Sequence, residues 1–525
     1  MKDLEQIDGV KKVTTCYSLG SPVNLRSDDG KAIYVFADLD DEAKQAKIGG
    51  EISQQFTGSY ETGTVYVAGY AAVNYAINHS IETDLALAES VAVPLTVLLL
   101  IFVFGSLVAA GLPLLVGGLA IVGSFFFIYL STQITDTSIF ALNLITGLGL
   151  GLGIDYALLM INRFREERAA GHSVSNSVQR TVETAGRTVL FSGLTVAIVL
   201  ASMAFFPQYF LKSFATGGIF VVLLSIAGAL IALPALLNIV GDGVNKLRIG
   251  KKAAAPKESK MWGNIARFVM KRPVPILLIT LVALGGLVGL GRDVQFGQVD
   301  DRILPQSSPV VEASNVIRDR FSGREGSPID IIIEGSTQDD ITDYTIALSK
   351  LDGIERVQST SGIATNGRLD DGYAPAFESY ANGKYQHVVA IHNIESRSPA
   401  GVTLTDEVRK LSSDNHNILV GGSAAIYTDS QRGIEKALPL VIGWIIFFTL
   451  LLLFLFTGSV LLPIKAVVLN IMSLGATLGF ITWVFIGGHL QWLIGDFYVT
   501  GTIDTSSLVL VAVVGFGLSM DYELF

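Results

Sequence analysis

The stretch GLGLGLGIDYALLMINRFREE, residues 147–167, decides how the rest of the chain is interpreted. Asp155 follows eighteen uncharged residues, 137–154, and precedes a basic cluster that begins at Arg163. An apolar run of this length is typical of a membrane-crossing helix, which needs about 20 residues. The sequence therefore predicts a carboxylate inside a membrane span, where a charge is costly.

The composition also favours a membrane protein. The 525 residues have a mean hydropathy of +0.51 and only 16% are charged, whereas soluble domains are about a quarter charged. Cys16 is the only cysteine, which excludes an intramolecular disulfide and a thiolate metal cluster. The six His show no metal-ligand spacing, and neither a G-x-S-x-G element nor a Walker motif occurs. We expect no enzyme, metal, cofactor or nucleic-acid partner, and an ion gradient as the energy source.

Charge-free runs locate the spans. Residues 90–135 are uncharged and long enough for two helices, with a break supplied by Gly105, Ser106, Gly111 and Pro113. The other runs are 137–154, 188–211, 213–241, 273–291, 437–464, 466–495 and 505–520. The sequence thus predicts nine spans.

Basic residues set the orientation, because cytoplasmic loops are enriched in Lys and Arg. Five arginines lie between Asp155 and the next run, and residues 242–272 carry nine Lys or Arg against two acids. The segments 1–85 and 292–435 are acidic, with 13 acids against 7 bases and 22 against 13. Nine spans place both basic segments in the cytoplasm and both acidic segments outside.

This topology divides the chain into six parts. They are a first outer domain (1–85), a five-helix bundle (86–241), a basic cytoplasmic linker (242–272), one helix (273–291), a second outer domain (292–436) and a three-helix bundle (437–525). In the outer domains, KAIYVFADL, TVYVAGYAAV, PIDIIIEG, YQHVVAIHNI and NILVGGSAAI read as strands between helical stretches. Such alternation predicts small α+β domains.

The two halves of the sequence repeat. GLGLGIDYALL, which contains Asp155 and Tyr156, aligns with GFGLSMDYELF, which contains Asp521 and Tyr522. VFGS in the first half likewise resembles LFTGS in the second, each between two spans. Because both aspartate helices run from outside to inside, we predict two parallel pseudo-repeats related by an axis along the membrane normal.

The repeated aspartate points to proton chemistry. A charge near the centre of a span costs at least about 2.5–3.5 kcal/mol, and an aspartate there can relieve the cost by taking up a proton. The adjacent tyrosine hydroxyl can donate to the carboxylate or pass the proton. The structural alternative is an aspartate that caps a broken helix or pairs with a buried base. Because the pair occurs twice, a proton relay of Asp155, Tyr156, Asp521 and Tyr522 is favoured.

The glycines before each aspartate favour helix packing over nucleotide binding. A phosphate-binding glycine loop needs a strand–turn–helix setting, which a run inside a span lacks. Small residues instead let helices approach closely around the carboxylate. The residues predicted to do so are Gly149, Gly151, Gly153, Gly515 and Gly517.

Three further polar residues are candidates for a polar path to the aspartates. They are Asn143, Ser192 and Thr195. For Asn143 the alternative is an interhelical hydrogen bond, and for the hydroxyls it is a bond to the backbone of their own helix.

At GLGLGIDYALLMINRFREE, TAGRTVLFSGLTVAI and GFGLSMDYELF the chain resembles the MmpL (mycobacterial membrane protein, large) family of the resistance-nodulation-division superfamily. The resemblance extends over essentially the whole chain. It implies twelve transmembrane helices in two halves, each with an extracytoplasmic, ferredoxin-like porter domain after its first helix. The implied activity is proton-driven export of lipids or other hydrophobic molecules across the bacterial cell membrane, with the two Asp-Tyr pairs as relay. Protons, a hydrophobic substrate and membrane lipids are the implied partners.

Against that layout, the sequence lacks the first helix, the start of the first porter domain and the last two helices. We therefore expect a fragment of a larger protein or the product of a broken gene. The rival function is a non-transporting receptor or translocation accessory built on the same helix core. A nonfunctional fragment is the third alternative.

Overall fold

The computed structural model describes residues 2–15, 25–40, 44–247, 260–292, 294–298, 300–321, 323–411, 417–495 and 497–523. The chain forms two compact units. Unit 1 consists of Met1–Asp84, Phe296–Arg432 and Leu490–Thr502. Unit 2 consists of Leu85–Gln295, Gly433–His489 and Ile503–Phe525.

The described residues are mostly helical. In chain order the α-helices are α1 (Lys2–Glu5), α2 (Gln45–Phe56), α3 (Tyr70–Phe104), α4 (Leu107–Ser131), α5 (Phe140–Ala169), α6 (Val174–Thr181), α7 (Arg187–Ala201), α8 (Tyr209–Ala227), α9 (Leu233–Val240), α10 (Lys260–Lys271), α11 (Pro273–Leu290), α12 (Pro309–Arg320), α13 (Gln338–Leu348), α14 (Pro399–Lys410), α15 (Ser423–Thr457), α16 (Leu461–Phe485), α17 (Gln491–Ile494) and α18 (Thr505–Glu523). Short π-helical turns join α6 to α7 and α8 to α9.

The strands are short. They are β1 (Val10–Thr15), β2 (Val35–Leu39), β3 (Gly58–Tyr60), β4 (Gly63–Val65), β5 (Phe296–Gly297), β6 (Ile329–Glu334), β7 (Ile354–Ser359), β8 (Gly362–Thr365), β9 (Arg368–Asp370), β10 (Ala381–Asn382), β11 (Tyr385–His392), β12 (Asn417–Gly422) and β13 (Ile503–Asp504).

Nine helical stretches in the described part of the chain are long and apolar enough to cross a membrane, as the charge-free runs predict. They are Tyr70–Phe104, Leu107–Ser131, Phe140–Ala169, Val174–Phe205, Tyr209–Asn245, Pro273–Leu290, Ser423–Thr457, Leu461–Phe485 and Thr505–Tyr522. Helices α3 and α15 have 35 residues each, and α4 and α16 have 25 each. The fold is therefore that of a polytopic helical membrane protein.

Several predicted helix ends are wrong, and local chemistry explains them. The first two spans separate at Gly105, whose φ of +61° favours glycine, and the Ser106 hydroxyl then caps α4. Pro113, predicted to contribute to the break, lies inside α4. Helix α5 continues past Asp155 to Ala169, and α16 ends at Phe485 rather than 495.

Unit 2 is built around α4, α5, α7 and α8, whose contact surfaces are rich in Gly, Ala and β-branched residues. Hydrophobic burial does not drive helices together in lipid, so close backbone approach has to hold them. Several serines buried in this core donate to carbonyls of their own helices, as Ser124 does to Ala120 at 2.6 Å. No water competes for these groups in a membrane, so internal bonds of this kind are required.

Unit 1 contains a seven-stranded sheet in which every neighbouring pair is antiparallel. The strand order is β12-β6-β11-β7-β8-β9, and β10 pairs with β11. On β6 the side chains of Ile329, Ile331 and Ile333 are buried while the residues between them are half-buried, as the two-residue period of a strand requires. These isoleucines pack with residues of α13 and α14.

The strands of the amino-terminal part of unit 1 differ from those predicted. β1 pairs with β2 and β3 pairs with β4, both antiparallel. TVYVAGYAAV was predicted as one strand, but strand β4 ends at Val65 and helix α3 begins at Tyr70, after Gly69 at φ +104°. Alanine favours helix over strand, which explains why α3 begins within this stretch. Helix α2 packs beside α3 at Gly49, where an added side chain would collide with Ala71.

Candidate proton-relay site

Helix α5 carries Asp155 and Tyr156 midway along its 30 residues. Its carboxyl-terminal end is held by charged groups of unit 2. Arg168 makes bonds of 2.7 and 2.8 Å to the two carboxylate oxygens of Asp242, and the nearly buried Glu167 pairs with Arg163 at 2.5 Å. A bidentate pair fixes orientation as well as distance, so α5 is anchored beyond the relay residues.

Of the three glycines of α5 that were predicted to pack around Asp155, two hold the helix against its neighbours. A Cβ added to Gly153 would lie 2.5 Å from the Cα of Gly117 on α4. A Cβ added to Gly149 would lie 2.6 Å from Ile121, also on α4, and 3.0 Å from Val221 on α8. The backbones thus meet at a distance that any side chain would prevent.

Gly151 does not take part, and its predicted packing role is wrong. It is exposed, with no heavy atom within 4 Å of an added Cβ. Positions four apart share a face of a helix, as Gly149 and Gly153 do, whereas a position two residues away lies on the other side. In the second copy the contacts are looser: an added Cβ on Gly515 would reach Leu474 at 3.7 Å, and one on Gly517 would reach Val199 at 3.5 Å.

Helix α18 brings the second pair to the first. It packs against α7 and α16, and Asp521 is fully buried there. The Tyr522 hydroxyl donates to Oδ2 of Asp155 at 2.6 Å, across 367 positions of sequence. The four residues predicted as a relay therefore come together, with a tyrosine of one copy bonded to the aspartate of the other.

Tyr156 is the fourth member of the cluster. Its side chain is fully buried on α5, and its hydroxyl lies 3.1 Å from where a Cβ of Gly193 on α7 would stand. Both Asp521 of the second copy and Asp155 beside it are close enough to interact with Tyr156 electrostatically. Tyr156 thus lies among the carboxylates of both copies.

Unsatisfied polar atoms cluster at this place. Both carboxylate oxygens of Asp521, the Tyr156 hydroxyl and the Ser192 hydroxyl are buried without a hydrogen-bond partner among the described residues. Ser192 lies beside Tyr156 and interacts with it, but not with the geometry of a hydrogen bond. Buried polar groups are nearly always paired, so this cluster of unpaired atoms is a candidate functional site.

Two predicted path residues lie elsewhere. The Thr195 hydroxyl donates to the Phe191 carbonyl of its own helix at 2.9 Å, which is the backbone alternative. Asn143 is on α5 but about 18 Å along the axis from Asp155, at about 1.5 Å per residue. Of the three candidates, the structure brings only Ser192 to the relay.

The sequence interpretation missed Asn470. This amide is buried on α16, and its Nδ2 donates to the Phe516 carbonyl of α18 at 3.1 Å. The bond lies five residues before Asp521 and ties the relay helix to its neighbour. An amide in the charge-free run 466–495 was the available signal, because polar side chains in spans commonly bond between helices.

Comparisons with known proteins follow this geometry. A family model described as "MMPL family" matches residues 13–276 and 302–525. The membrane protein SCO6666 of Streptomyces coelicolor is 35% identical over 532 residues, an alignment that covers all of this chain and 70% of that protein. The trehalose monomycolate exporter MmpL3 of Mycobacterium tuberculosis is 33% identical over 504 residues, covering 88% of this chain and 52% of that protein. The chain thus spans about half the length of the exporter.

A solved structure supports the fold alone. The hedgehog release protein Disp from the water bear Hypsibius dujardini aligns with a TM-score of 0.56 at 12% sequence identity. The alignment covers 93% of this chain and 66% of that one.

Proposed function

The chain belongs to the MMPL family, and from this premise we propose that it exports a lipid or another hydrophobic molecule across a bacterial cell membrane, driven by protons. The exporter at 33% identity carries trehalose monomycolate by its name. A long-chain amphipathic lipid is accordingly the substrate class proposed here. The nine candidate spans supply the membrane setting that such a cargo needs.

The proposed architecture has two parallel repeats and two extracytoplasmic porter domains. Equal lengths of α3 and α15, and of α4 and α16, support the repeat. In unit 1 the order β12-β6-β11-β7, with α13 after β6 and α14 after β11, is the βαββαβ arrangement of a ferredoxin-like core. The arginines at the end of α5 favour a cytoplasmic location for that end.

One observation carries the proton relay: the bond from the Tyr522 hydroxyl to Asp155, made beside the unpaired carboxyl group of Asp521. Asp155 accepts a hydrogen bond from the Tyr522 hydroxyl. Asp521 has neither a donor among the described residues nor exposure to solvent, so an anion there would be strongly disfavoured. We infer that in this arrangement the pair shares one proton, which resides on Asp521.

Loss of that proton would drive a rearrangement. An ionised Asp521 needs a donor, and the Tyr156 hydroxyl is both close to it and without a hydrogen-bond partner among the described residues. Rotation of Tyr156 onto Asp521 would complete the second crossed bond and alter the packing of α5 against α7 and α18. One charge crossing 100 mV gains about 2.3 kcal/mol, enough to bias two such arrangements.

The test is lipid flux in proteoliposomes under an imposed pH gradient, with a fluorescent long-chain glycolipid as cargo. Asp155→Asn keeps the side-chain shape and removes the titratable group, so gradient-driven flux should fall to the protein-free background. Asp136→Asn is the matched control, because Asp136 is exposed between α4 and α5 and should transport normally. Thermal stability of both variants should stay near that of the wild type.

Two results would contradict the proposal. Gradient-driven flux retained by Asp155→Asn would remove the relay from the mechanism. Proton uptake by the wild type without any lipid flux would instead favour an accessory role for the same helix core.

A further inference from the structure

Helix α10 is unlike every helix around the relay, because its described side chains are all exposed. Residues 261–271 are each exposed to solvent, and this includes six large apolar side chains. They are Met261, Trp262, Ile265, Phe268, Val269 and Met270, and Trp262 is 65% exposed. Twelve residues with so much apolar surface are not stable as an isolated helix in water.

All of these apolar side chains except Met270 share one face. At about 100° per residue, the other five positions fall within an arc of about 120°. Arg267 and Lys271 fall on the opposite side, about 40° apart, with Asn264 beside them, and no acidic residue occurs between 260 and 272. The helix therefore has an apolar face and a polar face whose charges are both positive.

The chain places this helix directly beside a membrane span. Arg272, at φ −137° and ψ 55°, breaks the helix, and Pro273 then begins α11, a candidate span. Only one residue separates the two helices, so α10 ends directly beside the first residue of a candidate span. The break frees α10 from the direction of α11, and Trp262 is of the residue type that concentrates at membrane–water interfaces.

We propose that α10 is a binding site for anionic phospholipid headgroups. The apolar face would enter the boundary between headgroups and acyl chains, and the basic face would remain among the phosphates. Charge complementarity selects this occupant: the cations Arg267 and Lys271, without an acid on the same helix, match an anionic surface better than a zwitterionic one. A bilayer is present one residue away in every molecule, whereas a soluble partner would have to be recruited.

This inference is independent of lipid export, since it concerns the segment between the two bundles and no relay residue. It assigns the basic linker a role beyond setting topology. The helix would hold the start of α11 at the interface and make that attachment depend on the charge of the surrounding lipid.

The test is hydrogen–deuterium exchange of the whole chain in nanodiscs of phosphatidylcholine, with and without phosphatidylglycerol. Both leaflets have the same composition, so the result does not depend on orientation. Amides of 261–271 should exchange about 25-fold more slowly in the anionic discs, at about fivefold for each of the two charges, and Arg267→Gln with Lys271→Gln should abolish this difference. Added salt should have the same effect as the double variant, while Lys271→Arg should preserve protection.

Other outcomes would overturn the proposal. Equal protection in both disc types, unaffected by the glutamine variants, would mean that the helix adsorbs through its apolar face without selecting charge. Absence of protection in both, or protection that appears only when two copies occupy one disc, would assign the surface to another occupant. Exchange in α5 provides the internal reference and should not change with lipid charge.

Discussion

The two aspartate helices are attached to their neighbours in different ways. Helix α5 meets α4 through a glycine on each side, Gly153 and Gly117, whose backbones touch. In the second copy, Ser519 aligns with Gly153. Gly117 lies twelve residues after the glycine of VFGS, and Asn470 lies twelve residues after the glycine of LFTGS, so Asn470 aligns with Gly117. Both members of the close contact are replaced, and α18 is instead tied to α16 by a hydrogen bond from Asn470.

The two aspartate helices are thus positioned by different means, α5 by a close backbone contact and α18 by a side-chain hydrogen bond. A close backbone contact tolerates no added atom but uses no polar group. A side-chain hydrogen bond tolerates neighbouring side chains but depends on one donor. Helix α5 should therefore be sensitive to added volume, and α18 to removed polarity.

The largest effect is expected for Gly153→Ala. The new methyl group would lie 2.5 Å from the Gly117 Cα, a backbone atom that cannot rotate away, so α4 and α5 must separate. Overpacking of this kind typically costs about 1–3 kcal/mol, and the displaced Asp155 should lose its bond to Tyr522. We expect a melting temperature in detergent lowered by several degrees and gradient-driven flux reduced at least about tenfold.

Gly151→Ala is the control for that substitution. It adds the same methyl group to the same helix, two residues away, where no atom lies within 4 Å. Alanine is also the better helix former by about 1 kcal/mol, so stability should be unchanged or slightly higher. Equal losses in both variants would show that α5 is sensitive to any substitution, and the close-contact explanation would fail.

An intermediate effect is expected for Asn470→Leu. Leucine fills a similar volume but cannot donate to the Phe516 carbonyl, so the variant tests bonding with little change in packing. Interhelical bonds of this type contribute about 0.6 kcal/mol on average and up to about 1.7 kcal/mol. We expect a loss of stability in that range, together with a shifted pH dependence of flux, because α18 carries Asp521.

Thr482→Val is the matched control for the amide. The Thr482 hydroxyl is on the same helix but donates to the Leu478 carbonyl of that helix, at 2.9 Å. Its loss should leave both stability and the pH profile unchanged. A pH profile that moves with Thr482→Val as much as with Asn470→Leu would contradict a specific tie between α16 and α18.

Much of the fold was predictable because lipid leaves few choices. Charge-free runs could be read directly as spans, and their number agrees with the structure. Helix ends were less predictable, since the charge-free run 137–154 stops at Asp155 although the helix continues to Ala169. The stretch TVYVAGYAAV was wrongly predicted to be one strand. Its β-branched start belongs to strand β4, but its last alanines belong to α3.

At the site, the sequence identified the residues but not their partners. Adjacent side chains on a helix point about 100° apart, so Asp155 and Tyr156 could not face each other, and the crossed bond to Tyr522 needed three-dimensional information. The helical period could have excluded Gly151 from the face of Gly149 and Gly153. Asn470 was overlooked because a single amide in an apolar run does not reveal which helix it contacts.

The smallest effect is expected for Gly515→Ala. The repeat aligns Gly515 with Gly149, so substitutions at these two glycines compare the two aspartate helices at the same position. An added Cβ there would lie 3.7 Å from Leu474 Cδ1, an ordinary contact, whereas one on Gly149 would lie 2.6 Å from Ile121. Gly515→Ala should change stability by less than about 0.5 kcal/mol and leave flux intact, while Gly149→Ala should cost more, moderated by rotation of the isoleucine. Thermal unfolding of both variants in one detergent measures the difference. If Gly515→Ala were the more damaging of the two, α18 would have to be held by close packing as α5 is, and the distinction between the two aspartate helices would disappear.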